Sequence, residues 1–309
     1  MKPKISVVGA GNVGAEVARR IAEKDLGDVI LVDVLEGIPQ GKALDIFQSG
    51  SILGFTSQIK GTNDYSGIKD SQIVVVTAGL ARKPGMSRDD LLAKNAEIVK
   101  TVVEKIKNLS KDSIILMVTN PLDSMAYLAW KVSGFETKRV LGMAPLLDAA
   151  RMATFIAMEL KVPVTEVKAT VLGTHGDLMV PVPSQTTVSG KPITKLLSKG
   201  IIDQIIERTR NGGAEIVSFL KTGSAYYAPS AAVAHMVESM LKDKQEVIPS
   251  SVFARGEYGL KDLYIGLPAK LGKNGVEKII EIELSEEEKQ ALNRSAEVIR
   301  ENNRKCAKS

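Results

Sequence analysis

His175 has the residue type and the setting for proton transfer. It stands in the run Gly173-Thr174-His175-Gly176, directly after an apolar segment, so a tight turn should present its ring at the end of a strand. An imidazole titrates near neutral pH and is the natural proton partner for a carbonyl group that becomes an alcohol. The second histidine, His235, lies inside the predicted helix 231–241, and we interpret it as structural.

Asp148 and Arg151 are a second pair of charged candidates. They stand three residues apart on a helix predicted over 145–160, so their side chains share one face of that helix. A surface ion pair would explain the same spacing. The sequence leaves both interpretations open.

A glycine-rich run predicts a site for a dinucleotide. The residues Gly9-Ala10-Gly11-Asn12-Val13-Gly14 follow the first apolar strand and open the first helix, where a tight turn lets the backbone approach a pyrophosphate. Asp33 ends the second strand and can bond the ribose hydroxyls of adenosine. The same carboxylate would repel a 2′-phosphate, and Val34 and Leu35 offer no positive charge in its place. NAD is therefore favoured over NADP, although the glycines and the acid could also serve only as turn residues.

Cations and an amide follow two later strands. The segment 81–88 carries Arg82 and Arg88 around a Pro-Gly hinge. It follows the fourth strand, at the carboxyl edge where doubly wound sheets bind ligands. A solvated charged loop is the simpler interpretation, whereas planar pairing with a carboxylate would need arginine. Asn120 ends another apolar strand and could bond the cofactor or a substrate hydroxyl, or cap the helix that follows it.

The elements that would position these residues form two regions. Short apolar runs alternate with amphipathic stretches, which predicts a doubly wound parallel sheet, a Rossmann domain, over 1–142. The predicted strands and helices of this region are strands over 5–8, 29–32, 73–77 and 114–119 and helices over 13–24 and 88–109. Residues 143–309 read as a mixed α+β domain, with strands within 167–187, a hairpin around 252–267 and a last helix that begins at Ser285. No Pro/Gly/Ser-rich linker separates the regions, so we expect them to pack tightly and share a cleft.

The composition and charge of the chain limit the kinds of partner that we expect it to bind. The 309 residues are 44% hydrophobic and 25% charged, which is ordinary for a soluble protein. The basic excess, 41 against 36, is not clustered, so we expect no nucleic-acid partner. A single cysteine, Cys306, and two histidines are too few for an internal disulfide or a Cys/His metal site, and a reducing cytoplasm fits. We see no leader and no apolar run of membrane-spanning length, and expect no membrane partner.

Taken together, the motifs resemble those of the lactate and malate dehydrogenase family over essentially the whole chain. They are most similar to the lactate-dehydrogenase-like malate dehydrogenases of bacteria and archaea. The matching stretches are GAGNVG, LVDV, QGKALD, RKPGMSRDDLL, VTNPLD, LDAAR, GTHGD and LKTGSAYYAPSAA.

The resemblance implies a role for each candidate residue. His175 would be the proton donor and acceptor, Asp148 would orient its ring, and Arg151 would bind the substrate's C1 carboxylate. Arg88 would polarise the C2 carbonyl as its loop closes and excludes water. The remaining contacts implied by the family are those of Asn120 with the same substrate oxygen, and of Asn95, Val118, Thr119 and Asn120 with the cofactor.

Arg82 decides the expected substrate. Malate dehydrogenases of this group carry Arg there to pair the second carboxylate, and lactate dehydrogenases typically carry Gln, so the resemblance implies malate and oxaloacetate. The alternative is lactate or another 2-hydroxy acid. The family also implies a homotetramer, with a dimer as second choice. Pro145 and Leu178 depart from the family pattern, which usually has Gly and Glu there, and Pro145 suits a first helical turn.

Two other classes compete. The NAD-dependent glycosidases have a similar nucleotide domain but bind a metal through Cys and His, and the lone Cys306 at the tail speaks against them. A non-catalytic NAD-sensing module would have no reason to keep His175, Asp148 and three arginines of the substrate-binding type together.

Overall fold

The computed structural model describes residues 2–80 and 86–306. The N-terminal half contains six strands: β1 (Lys4–Val8), β2 (Asp28–Val32), β3 (Ile59–Thr62), β4 (Ile73–Val76), β5 (Ile114–Met117) and β6 (Val140–Gly142). Its four helices are α1 (Asn12–Glu23), α2 (Ile38–Leu53), α3 (Arg88–Leu109) and α4 (Leu122–Ser133). The strands run parallel in the order β3-β2-β1-β4-β5-β6. This confirms the predicted doubly wound sheet and places its switch point between β1 and β4.

Both faces of this sheet are buried. Along β4, Val75 packs on the side of α1 with Val17, whereas Val74 packs on the opposite side with Val99 of α3. All four side chains are fully buried, and each such valine stabilises the fold by about 1.5–3 kcal/mol. Because both faces are covered, the strand is a continuous apolar run and not an alternating one.

The C-terminal half is mixed α+β, as predicted. Its strands are β7 (Val167–Lys168), β8 (Val171–Gly173), β9 (Met179–Pro181), β10 (Thr187–Val188), β11 (Lys191–Pro192), β12 (Glu246–Arg255), β13 (Lys261–Gly272) and β14 (Gly275–Ile279). Its helices are α5 (Leu146–Leu160), α6 (Lys199–Leu220), α7 (Tyr227–Leu241) and α8 (Glu286–Cys306). The predicted hairpin is confirmed as the antiparallel pair β12 and β13. The capping box that begins α8 is also present, because Ser285 and Glu288 each accept the other's backbone N–H.

One eleven-stranded sheet crosses from one half to the other. Ser251 of β12 pairs antiparallel with Gly142 of β6, which adds β12, β13, β8 and β9 to the six parallel strands, and β14 pairs with β13 as the eleventh strand. A separate sheet of three short strands contains β11, β10 and β7. The shared sheet sets the first turns of α4 and α5 beside the turn after β8. Over residues 2–80 and 86–306, no helix has the length and apolar character to cross a membrane.

Candidate active site

The glycine turn after β1 leaves room for a ligand. A Cβ on Gly9, whose φ is +108°, would lie 2.6 Å from the Ala78 nitrogen, and one on Gly14 would lie 1.8 Å from the Gly9 carbonyl oxygen. The chain's own packing therefore requires these two glycines. A Cβ on Gly11 would meet nothing within 4 Å, and Gly11 is the exposed N-cap residue of α1. The open space at this helix N-terminus fits a diphosphate, which the first-turn N–H groups can bind.

Asp33 lies at the end of β2 and contacts the glycine turn. Its Oδ2 accepts the Ala10 N–H at 2.6 Å, and its Oδ1 accepts the Leu35 N–H at 3.0 Å. Lys42 of α2 reaches the same turn and donates to the Ala10 carbonyl at 2.7 Å. The sequence reasoning missed Lys42, although it lies in the matched stretch QGKALD. Because the Asp33 carboxylate lies directly beside the glycine turn, residues 9–14 and Asp33 fit NAD.

Two further predicted residues hold the strand-end loops together. Asn95 is fully buried, and its amide accepts the Leu80 N–H at 2.7 Å and donates to the Asn120 carbonyl at 2.7 Å. The Thr119 hydroxyl donates to the Ala78 carbonyl at 2.7 Å. These hydrogen bonds join the turn after β4 to the turn after β5. The cofactor contacts expected of Asn95 and Thr119 stay predictions.

A cavity of about 290 Å³ lies between the two halves. The first half contributes Val13 of α1, Val118 and Asn120. The second half contributes Arg151 and His175, together with residues of α6 and α7 and of the segment between them. Among the described residues, no side-chain hydrogen bond from Asn120 caps α4, whose N-cap is Pro121. Asn120 is exposed and is one of the residues that line the cavity.

The cavity contains a histidine paired with a buried acid. The His175 Nδ1 lies 2.8 Å from the Asp148 Oδ2, and the Asp148 Oδ1 accepts the Arg151 Nη1–H at 3.2 Å. Asp148 is 0% exposed and the Arg151 side chain is 14% exposed, so the alternative of a surface ion pair is wrong. α5 brings the acid and the arginine together, because they are three residues apart on one face, while the turn after β8 brings the histidine. Pro145 is the N-cap residue of α5, so it lies one position before the first helical turn in which the sequence placed it.

The electrostatic environment favours the protonated ring. The negative charge of Asp148 raises the pKa of His175 above its ordinary value of 6.5, while burial and the positive charge of Arg151 act against that effect. With Asp148 ionised, the Nδ1–H donates a hydrogen bond to the carboxylate, which leaves Nε2 as the nitrogen that can exchange a proton with a ligand. The pair can therefore give a proton to an oxygen in the cavity, or take one from it.

A third acid, Asp123, was missed by the sequence reasoning. It lies in the first turn of α4 and is buried. It accepts the Thr174 hydroxyl at 2.7 Å, the His175 N–H at 3.3 Å and, on its other oxygen, the Ser251 hydroxyl at 2.6 Å. The sequence feature that could have identified it is a carboxylate among mostly apolar residues at the start of the helix that was predicted to follow Asn120.

Of the two other predicted arginines, Arg88 is described by the structure and does not line the cavity. Arg88 begins α3, and its Nη2 lies 2.5 Å from the Asp177 Oδ2, with the two side chains 75% and 69% exposed. Asp177 is two residues from His175, so Arg88 is held near the turn but outside the cavity. Arg82 lies outside the described residues. Within the described ranges, no group of three or more His, Cys, Asp or Glu side chains could hold a metal ion.

Fold and site together define a class of protein. The first half carries a dinucleotide-binding turn at the switch point of a parallel sheet. The second half presents a histidine and its buried acid to a cavity that both halves line. This is the arrangement of a nicotinamide-dependent dehydrogenase.

Comparison with known proteins identifies the family. Residues 3–142 match the model of the lactate/malate dehydrogenase NAD binding domain, and residues 146–309 match that of the lactate/malate dehydrogenase alpha/beta C-terminal domain. The chain belongs to the lactate/malate dehydrogenase family, and the expected resemblance is confirmed. Its N-terminal half is the NAD-binding region of that family.

Individual relatives extend over nearly the whole chain. The chain is 55% identical over 299 residues to a malate dehydrogenase of Roseiflexus sp. (strain RS-1), with 97% of each protein covered. It superimposes on the apo malate dehydrogenase of Picrophilus torridus with a TM-score of 0.97 and 46% identity, covering 100% of this chain and 98% of that one. A lactate dehydrogenase of Cryptosporidium parvum, complexed with lactic acid and nicotinamide adenine dinucleotide, gives a TM-score of 0.96 and 41% identity, covering 100% and 99%. Overall shape therefore does not separate the two substrates.

Proposed function

We propose that this chain is an NAD-dependent malate dehydrogenase that interconverts malate and oxaloacetate. The observation that carries the proposal is the His175–Asp148 pair at 2.8 Å beside Arg151, in a cavity lined by both halves. When bound, the nicotinamide supplies or accepts the hydride at the substrate's C2 carbon. We assign residues 1–142 to the cofactor domain and 143–309 to the substrate domain.

In this proposal each side chain has one task. His175 gives the proton of Nε2 to the C2 oxygen during reduction and takes it back during oxidation. Asp148 keeps the ring in that orientation and stabilises the imidazolium. Arg151 pairs with the C1 carboxylate, Asn120 donates to the C2 oxygen, and Arg88 polarises the carbonyl once the loop has closed.

The substrate assignment rests on Arg82, which would pair with the second carboxylate of oxaloacetate. A relative named malate dehydrogenase, 55% identical to this chain, supports it. The alternative, lactate or another 2-hydroxy acid, is kept because a lactate dehydrogenase has nearly the same fold. Only the far end of the substrate distinguishes these acids, and there an arginine favours a dicarboxylate.

We further propose a cytoplasmic homo-oligomer, a tetramer or, as second choice, a dimer. Large apolar side chains of α2 are exposed, with Ile52 at 85% and Leu53 at 59%, and Phe219 at the end of α6 is 76% exposed. Apolar groups concentrated on one helix are typical of a surface that another subunit covers. The lone buried thiol of Cys306 fits a reducing compartment.

A panel of 2-keto acids with NADH tests the proposal, with the oxidation of NADH followed by its absorbance. Oxaloacetate should be reduced far more efficiently than pyruvate. His175→Asn should lower turnover by a factor of roughly 10² to 10⁴, the usual contribution of a positioned acid-base group, without changing NADH affinity.

The second histidine provides a matched control. His235 pairs with Glu246 at 3.0 Å, is 39% exposed and does not line the cavity. His235→Asn should therefore keep wild-type turnover. Near-normal turnover in His175→Asn, or equal loss in both variants, would remove His175 from the mechanism.

A further inference from the structure

Asp123 is a buried carboxylate for which the proposed chemistry has no use. It occupies the first turn of α4, three residues after Asn120, and is 3% exposed. Burying a charge without compensation is costly, so an acid in this position needs partners. None of the ion pairs among the described residues involves Asp123, and its partners are hydroxyl and N–H groups.

Its two oxygens face different parts of the molecule. Oδ2 accepts the Thr174 hydroxyl at 2.7 Å and the His175 N–H at 3.3 Å, so it holds the turn that carries the histidine. Oδ1 accepts the Ser251 hydroxyl of β12 at 2.6 Å. One side chain from the cofactor half thus fixes the histidine turn of the other half against the shared sheet.

We propose that Asp123 is a positioning residue for His175: its hydrogen bonds fix the 174–175 turn, and its negative charge supports the imidazolium. This inference rests on the proposed acid-base role of His175. In this arrangement Asp148 orients the imidazole ring of His175 through Nδ1, and Asp123 holds the backbone of His175 through its N–H. The histidine is flanked by acids on α4 and on α5.

The charged groups around His175 determine in which direction its pKa moves when the charge of Asp123 is removed. Within the described part of the chain, the charged groups that act on the ring are Asp148 and Arg151 of α5 and Asp123 of α4. The two acids raise the pKa of His175, with Asp148 the larger, and Arg151 lowers it. Burial raises the pKa of Asp123 itself, while its donors Ser251, Thr174 and the His175 N–H hold it down. Removing the Asp123 charge should therefore lower the pKa of His175.

A purely structural tether between the halves would predict a different result. Loss of a tether lowers turnover at every pH, whereas loss of a charge moves the pH at which turnover changes. Reduction needs the protonated ring and falls as the pH rises through its pKa. Oxidation needs the neutral ring and falls as the pH drops through it. At any given pH, the ratio of kcat/KM for reduction to kcat/KM for oxidation is fixed by the reaction equilibrium. The informative quantity is therefore the pH at which each efficiency falls, which is the limb of its pH profile.

The test is Asp123→Asn, which keeps the shape and removes the charge. We expect the limbs of kcat/KM for oxaloacetate reduction and for malate oxidation both to move to lower pH, with NADH affinity, measured by fluorescence titration, unchanged. Ser295→Ala is the matched control, because the Ser295 hydroxyl accepts the Thr174 N–H at 2.7 Å, so this variant removes a neutral contact of the same turn and leaves both limbs at the wild-type pH. A folded Asp123→Asn variant with limbs at the wild-type pH would overturn the proposal.

Thr174→Val provides a second route if Asp123→Asn does not accumulate as folded protein. It removes one hydrogen bond to a charged group, so turnover should fall by about 10- to 100-fold with unchanged NADH affinity. Wild-type turnover in Thr174→Val would refute the positioning role. His175→Asn separates the two proposals: if its limb disappears while that of Asp123→Asn stays at the wild-type pH, only the inference about Asp123 fails.

Discussion

Arg151→Gln tests the carboxylate site most directly. The Arg151 side chain is only 14% exposed, and one of its nitrogens donates to Asp148. Its Nε is buried and has no partner within the described residues. The guanidinium therefore retains donors at the wall of the cavity, and the C1 carboxylate of a 2-keto acid would satisfy them. Glutamine keeps a polar side chain but removes the charge and the planar fork.

The expected fall in kcat/KM follows from how far the site is shielded from solvent. Truncating one partner of a charge pair in a largely desolvated site costs about 2 to 5 kcal/mol. At about 1.4 kcal/mol per tenfold, kcat/KM should fall by a factor on the order of 30 to 5,000. Arg151 also lowers the pKa of His175, so its removal moves the limb for reduction to higher pH. Efficiencies should therefore be compared on the plateau at low pH.

The assay compares oxaloacetate with pyruvate, since both carry the C1 carboxylate. Both efficiencies should fall by the same factor, while NADH affinity stays level. Arg208→Gln is the matched control, because Arg208 of α6 pairs with Glu215 at 2.7 Å and is 48% exposed. A near-normal efficiency for Arg151→Gln, or a loss confined to oxaloacetate, would refute the assignment of Arg151 to the C1 carboxylate.

Three other substitutions test the residue that selects the substrate (the selector), the cofactor preference and the stability of the fold. Arg82→Gln should lower oxaloacetate efficiency by a factor on the order of 30 to 5,000 and leave pyruvate level or improved, whereas an equal loss would exclude Arg82 as the selector. Asp33→Ser should weaken NADH binding and improve NADPH binding, and an unchanged preference in titrations would mean that Asp33 is not at the ribose. Glu238 accepts Lys24 at 2.6 Å and Lys244 at 2.8 Å, contacts that hold its pKa well below the ordinary value. Glu238→Gln should therefore lower the free energy of unfolding in urea by about 1 to 3 kcal/mol at neutral pH. This difference is present above the ordinary Glu pKa of 4.5 and shrinks as the pH falls below it; a constant difference would contradict the role of the charge.

Local patterns were sufficient to predict most of the elements and the cofactor turn. The helix predicted over 88–109 is α3 as observed, because its apolar positions recur with helical period and Ser87 caps it. The glycine turn and Asp33 are also local features, since each directly follows a strand whose apolar run is evident. The tight turn that presents His175 was predicted for the same reason.

Local sequence patterns did not show which charged residues meet, and only the resemblance implied that Asp148 orients the ring of His175; the tertiary structure brings these side chains together. His175 and Asp148 are 27 residues apart in the chain, and Asp123 is 52 residues from His175 and 128 from Ser251. Periodicity carries no information over such separations, because it reports which face of an element is buried and not which element covers it. Lys42 was missed for the same reason, since only the packing of α2 against the glycine turn brings its ammonium to Ala10. These contacts form because one sheet continues through both halves, so the ends of its strands and the first turns of its helices converge on a single cavity.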